Sequence, residues 1–230
     1  MQYSDEKKTK TILCFGDSNT WGFVPTDEMP DFSKIANNRY PWEKRWPGVL
    51  QSLLGDGYRV IENGLNGRTT FFDDPLAGFR NGADAIDICM LMNMPVDLLV
   101  IMLGCNDVKI QFHATPFLIA GGLEKIITNV KLGGYGPGGN DPEILVISPV
   151  SLLDNIEQTW LVNEFDAGSL KRDKGLAEAY KAVAERNGCH FMNAADYAEA
   201  SPLDALHMDD AGLKKLAEAV YEKTKSILND

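Results

Sequence analysis

The sequence predicts an α/β fold, a three-layer α/β/α sandwich around a five-stranded parallel sheet, and two observations carry that prediction. Apolar runs rich in Ile, Val and Leu recur along the chain and are nearly continuous, as in strands covered on both faces. Amphipathic segments of helical character fill the gaps between them. Strand and helix alternating in this way build a doubly wound sheet.

Five runs read as strands: TILCFG (11–16), YRVIENG (58–64), VDLLVIMLG (96–104), EILVISPV (143–150) and CHFMNAAD (189–196). The first ends in Gly16-Asp17-Ser18-Asn19, turn residues that stop a buried strand. Helical patterns occupy WPGVLQSLLG (46–55), GADAIDICMLMN (82–93), PFLIAGGLEKIITNV (116–130), GLAEAYKAVAERNG (175–188) and AGLKKLAEAVYEKTKSIL (211–228). Two irregular stretches break the rhythm. Residues 24–42 are polar and contain proline, and residues 151–168 carry Leu152, Leu153, Trp160, Leu161 and Phe165 among polar neighbours. Loops of this length in a compact domain serve function or interfaces, or are tolerated surface excursions. No repeat or linker divides the chain, so a single domain over 1–230 is expected, with 1–10 a flexible N-terminal segment. GYGPGG (134–139) matches a dinucleotide fingerprint by letter, but it follows a helix and precedes a strand. The fingerprint needs the opposite order, so this is an αβ connection.

Composition excludes several function classes. The chain is 44% hydrophobic and 24% charged, as in an ordinary globular domain. A net charge of −11 without a basic patch argues against nucleic acid. No run approaches membrane-spanning length and no signal peptide is seen. Cys14, Cys89, Cys105 and Cys189 are scattered without CxxC or zinc spacing, which reads as reduced thiols in a cytoplasmic protein.

In an open parallel sheet, ligands bind beyond the carboxyl ends of the strands. The first strand is followed by Gly16-Asp17-Ser18, the second by NGLNGRTT with Gly64 and Gly67, the third by GCND (104–107) and the fifth by DALH (204–207). These residue types suit acyl transfer. A serine hydroxyl needs a base, histidine can take its proton, and a carboxylate on the other ring nitrogen fixes the tautomer. Asp204 and His207 stand three residues apart, close enough to pair. His190 lies within a strand and His113 has no carboxylate at suitable spacing, so His207 is the expected base. Ser18 and Gly67 backbone amides and the Asn106 side chain would supply the oxyanion donors. Trp21, three residues past Ser18, either walls the pocket or packs into the core. Trp160 and Phe165 are expected on its alcohol side.

Two other readings compete. Asp17, Asp107, Asp204 and Asp209 could gather a divalent metal in a phosphoesterase, although no ligand spacing is fixed. A non-catalytic flavodoxin-like binding module is the other.

GDSN, Gly67, GCND and DALH stand in the order of the four sequence blocks of the GDSL/SGNH hydrolases, which the chain resembles over nearly its whole length. ILCFGDSNTWGF, VIENGLNGRTTFFDDP and VIMLGCNDVK resemble the intracellular arylesterase/acyltransferase branch. No G-x-S-x-G elbow occurs, which disfavours the α/β-hydrolase fold. The resemblance implies a flavodoxin-like SGNH hydrolase fold, a triad of Ser18, Asp204 and His207, an oxyanion hole of Ser18, Gly67 and Asn106, and homo-oligomers. A small-molecule ester is the expected partner, with no cofactor or metal. Asn19 stands where the name-giving motif has leucine, and Cys105 where a small or hydroxyl residue is frequent. Asn19 is counted with Trp21, Trp160 and Phe165 among the expected substrate-binding residues.

Loss of one oxyanion donor costs roughly 10²–10³ in turnover. Asn106→Ala is expected to lose kcat in that range, and steady-state kinetics near the wild-type value would remove Asn106 from the mechanism.

Overall fold

The computed structural model describes residues 9–229. Its strands are β1 (Lys10–Gly16), β2 (Tyr58–Gly64), β3 (Leu98–Met102), β4 (Glu143–Ser148) and β5 (His190–Asn193), all parallel in the order β2-β1-β3-β4-β5. The helices are α1 (Ser18–Trp21), α2 (Trp46–Leu54), α3 (Gly82–Asn93), α4 (Pro116–Gly133), α5 (Ala167–Asp173), α6 (Leu176–Arg186) and α7 (Asp210–Leu228). The strand order reverses at β1, which places the topological switch point beside the first strand's carboxyl end.

The near-continuous apolar runs have the cause inferred for them. Successive β1 side chains enter opposite layers: Leu13 and Phe15 pack with α3, α4 and α6, while Ile12 and Cys14 pack with α2 and α7. In β3, Leu99 and Ile101 face the first layer and Leu98, Val100 and Met102 the second. Period-two alternation between two buried faces leaves polar residues only at the ends of the central strands. The chain is therefore a three-layer sandwich.

Predicted and observed elements differ mainly at their ends. β4 stops at Ser148, before Pro149, which has no amide to give to the ladder. β5 stops at Asn193, whose side chain accepts from the Ala195 amide and turns the chain into a short 3₁₀ segment. Residues 151–168, expected to be irregular, pass directly into α5, which a capping box of Asp166 and Ser169 starts. A seven-residue helix carries too little periodicity to be read from sequence. Residues 1–8 of the expected flexible N-terminal segment lie outside the described residues, whereas Lys10 is already in β1, in register with Tyr58.

One close approach positions the site. Gly16 and Gly64 are register partners at the carboxyl ends of β1 and β2. A Cβ on Gly64 would overlap the Trp21 backbone, and one on Gly16 would overlap the Thr20 side chain. Two bare strand ends thus let the single turn of α1 rest directly on the sheet, with Ser18 at its start.

Gly64→Ala forces α1 off the sheet, since backbone cannot rotate away as a side chain would. Overpacking of this kind costs about 1–3 kcal/mol. Urea unfolding is expected to show that loss together with reduced ester turnover, and wild-type stability would show that α1 has room to spare.

Candidate active site

Asp17 caps α1. Its side chain accepts from the Asn19 amide at 3.0 Å, and its carbonyl accepts from the Trp21 amide at 2.9 Å. This cap fixes Ser18 at the first helical position. The loop after β5 brings the remaining groups. His207 Nε2 stands 2.8 Å from Ser18 Oγ, and His207 Nδ1 stands 2.8 Å from Asp204 Oδ2. A carboxylate only accepts, so the ring proton belongs on Nδ1 and the Nε2 lone pair faces the serine hydroxyl. Asp204 is fully buried, and its Oδ1 accepts from the Leu206 and His207 amides at 3.1 and 2.9 Å. The backbone turn that permits this puts Ala205 at φ 61°, in the left-handed region. Ser18, His207 and Asp204 thus form one hydrogen-bonded chain able to draw the proton from the hydroxyl as oxygen attacks a carbonyl.

Gly67 and Asn106 line the same cavity as Ser18 and His207. Gly67 has φ 78°, which only glycine adopts without strain. Asn106 Nδ2 donates to the Arg68 carbonyl at 3.1 Å, tying the β3 rim to the turn after β2. Arg68 completes that tie. Its buried guanidinium donates to the Gly16 and Asn63 carbonyls at 2.9 and 2.6 Å and lies over the Phe15 ring. Burial lowers its pKa to about 10, so it still carries charge at neutral pH.

The carboxylates beneath the rim are occupied separately. Asp17 accepts from the Cys105 thiol at 3.0 Å, and burial raises its pKa against that bond and the Asn19 amide. Burial likewise pushes the Cys105 thiol far up. Asp107 accepts from the Thr70 amide and hydroxyl, and Asp209 accepts from the Gly212 amide to cap α7. The metal cluster weighed for Asp17, Asp107, Asp204 and Asp209 does not assemble. Among the described residues, no group of three His, Cys, Asp or Glu side chains could hold an ion.

The cavity above Ser18 has a volume of about 710 Å³. Trp160 and Phe165 line it, as do Phe23 and Phe32. Trp160 is held by a bond from its indole nitrogen to the Thr26 carbonyl at 3.1 Å. Thus the two long irregular stretches, 24–42 and 151–168, meet over the site. Asn19, counted among the substrate-binding residues, does not line the cavity, and of the two readings of Trp21 the structure favours packing, because it does not line the cavity either. Trp21 rests on Gly64 and under the Arg39 guanidinium, 4.6 Å from its ring centre. Asn19 is buried, with Oδ1 accepting from the Met208 amide at 2.9 Å and Nδ2 donating to the Leu206 carbonyl at 3.4 Å.

The aromatic residue of the opening segment that reaches the site is Phe23. Its ring stacks on the His207 imidazole with centroids 4.3 Å apart. Sequence reasoning missed Phe23 because it lies past the αL residue Gly22, where helical spacing no longer predicts direction. It also missed Lys109, which lines the cavity, pairs with Glu164 and lies over the Phe165 ring. Its position three residues after Asn106 was the available signal.

Residues 14–215 match the sequence profile of the GDSL-like lipase/acylhydrolase family. No curated protein matches the chain. Among solved structures, a carbohydrate acetylesterase from Sinorhizobium meliloti is 36% identical, with TM-score 0.87 over 95% of this chain and 99% of that one. The inhibitor-bound aryl esterase of M. smegmatis has the same identity, TM-score and coverage. A carbohydrate acetylesterase family member from Sinorhizobium meliloti is 34% identical, with TM-score 0.85 over 96% of this chain and all of that one (100%).

Burial raises Asp107 from 3.8 to about 7. The folded chain then holds a proton that the unfolded chain releases, so this group favours the fold most on the acid side. That contribution is lost as pH rises from about 4 to about 7. Urea midpoints of Asp107→Asn are expected to fall less over that range than those of the wild type. Parallel curves would show that Asp107 does not titrate there.

Proposed function

The chain belongs to the GDSL-like lipase/acylhydrolase family and is a serine-type carboxylic ester hydrolase, and we propose that Ser18 is its nucleophile, His207 its base and Asp204 the group that orients the base. The observation that carries this assignment is the unbroken chain of 2.8 Å contacts from Asp204 through His207 to Ser18. Ser18 Oγ attacks the ester carbonyl while its proton passes to His207 Nε2. The tetrahedral oxyanion is received by the Ser18 and Gly67 amides and the Asn106 side chain. The imidazolium returns the proton to the leaving alcohol as the C–O bond breaks, and an acyl-enzyme remains on Ser18. Water, activated by the same imidazole, releases the acid.

The substrate class we assign is a small acyl ester of an aryl or sugar alcohol. Aromatic walls from Phe23, Phe32, Trp160 and Phe165 suit a flat or ring-shaped leaving group. Asn66, Asp74, Arg80 and Gln111 line the same space and can meet hydroxyl groups. These apolar walls also admit an alcohol in place of water at the acyl-enzyme, giving acyl transfer. Trp160 and Phe165 are assigned to the alcohol side.

We further assign the whole of 1–230 to one catalytic domain acting as a homo-oligomer in the cytoplasm. Exposed apolar side chains support association: Ile88, Leu91 and Met92 on α3, and Leu76 and Phe79 beside the cavity mouth. All four cysteines are free, which suits a reducing compartment. Among the described residues, no helix is long and apolar enough to cross a membrane.

A p-nitrophenyl ester series from acetyl to octanoyl, given to wild type and Ser18→Ala, tests the reading. The wild type should favour the short esters, and Ser18→Ala should lose about 10⁴–10⁶ in kcat. Equal activity of the two proteins would make Ser18 a turn residue and dismiss the mechanism.

A further inference from the structure

We propose that Asn19 is a positioning residue that sets the distance between the Ser18 hydroxyl and the His207 imidazole by clamping the backbone on both sides of His207. The inference rests on the catalytic reading above and adds a part to it. Asn19 follows Ser18 in the same turn of α1, so its side chain and the nucleophile move as one body. Its Oδ1 accepts from Met208 and its Nδ2 donates to Leu206, the two residues that flank His207.

The loop that carries the base is already tied to itself and, through its Ala205 and Pro202 carbonyls, to the Leu153 amide and the Asn155 side chain. The Ser201 amide donates to the His207 carbonyl at 2.7 Å, and the Ala205 amide donates to the Ser201 carbonyl at 2.8 Å. Asp204 Oδ1 receives two amides of the same loop. Those bonds fix the shape of 201–208 and the Asp204–His207 pair within it. They do not fix where the loop sits relative to α1. Among the described residues, the hydrogen bonds crossing from α1 to this loop are the Ser18–His207 contact and the two from Asn19. The Phe23 ring sets the face of the imidazole but gives no direction along the Ser18–His207 line. Asn19 therefore holds the spacing that proton transfer needs, about 2.6–3.2 Å between heavy atoms.

Leucine at this position has similar bulk and neither polar atom. It would leave a Met208 amide and a Leu206 carbonyl buried without partners, and the loop would have to shift to recover them. Aspartate keeps the acceptor for Met208 and loses the donor to Leu206.

The test compares wild type, Asn19→Leu and Asn19→Asp on p-nitrophenyl acetate, with proton and ring-nitrogen NMR of His207. A displacement near 1 Å costs about 10²-fold in rate. Asn19→Leu should therefore lose kcat by about 10- to 100-fold with KM within about 3-fold of wild type, and Asn19→Asp should recover part of the loss. The Nδ1 proton signal of the Asp204–His207 pair should persist in Asn19→Leu, while the Nε2 shift that reports the Ser18 bond should change. Loss of both signals would make Asn19 a folding residue and overturn the proposal. So would wild-type kcat in Asn19→Leu, or a loss carried by KM. If Asn19→Leu does not fold, Asn19→Asp carries the test: its kcat must fall with the Nε2 shift altered, and wild-type values would overturn the proposal. If wild type turned over no ester, the esterase reading would fail on its own. The Nε2 shift would still decide the positioning role, and a wild-type shift in the variant would end it.

Discussion

The site depends on a steric constraint, the absence of side chains where β1 and β2 end side by side. Gly16 and Gly64 are register partners, and α1 occupies the space that their Cβ atoms would take. Because the helix is only one turn long, it has no propensity to stand alone. It exists because the strand ends beneath it are bare and Asp17 caps its start. Ser18 is consequently placed by the sheet, although it lies outside any strand. His207 is placed quite differently, on an irregular loop tied to itself, to Leu153 and Asn155, and to α1 through side chains.

Beneath this arrangement lie buried charged groups. Asp17, Arg68, Asp107 and Asp204 are all withdrawn from water at the carboxyl edge of the sheet. Withdrawing charge is costly unless hydrogen bonds compensate. The compensation here is local for each group: the Cys105 thiol and Asn19 amide for Asp17, carbonyls for Arg68, Thr70 for Asp107, and two amides plus an imidazole for Asp204. Where it is incomplete the pKa moves, as it does upward for Asp107 and downward for Arg68. Cys105, a departure from the family's usual residue types, supplies a weak donor to the capping aspartate. Strand ends and turns are thereby joined by bonds that each lose heavily if one partner is removed. That is how a rim made of loops can hold a catalytic geometry.

The cavity shows the same division between scaffold and lining. Ser18, Gly67, Asn106 and His207 enter it from the sheet's rim, whereas its aromatic walls come from the two long excursions, meeting where Trp160 lies near Phe23 and Phe32. The reacting end is therefore built on the rim of the sheet, and the walls on the long loops.

The sequence by itself determined the strands and the five longer helices, because buried strands and amphipathic helices each impose a period on their own residues. It also determined the order of the chemical groups, since every strand of an open parallel sheet delivers its following residues to one edge. Ser18, Gly67, Asn106, Asp204 and His207 were expected together at that edge for this reason. Tertiary structure alone decided what the intervening side chains face. Trp21 and Phe23 are two residues apart, and nothing in their spacing says that the first packs on a bare strand end while the second stacks on the His207 imidazole. Asn19 reads as a pocket residue beside Ser18 until its partners, 187 and 189 residues away, are seen. Short helices such as α1 and α5 were hidden too. Local periodicity is written in neighbouring residues, whereas a cap, a clamp or a close approach is a relation between segments that only folding brings together.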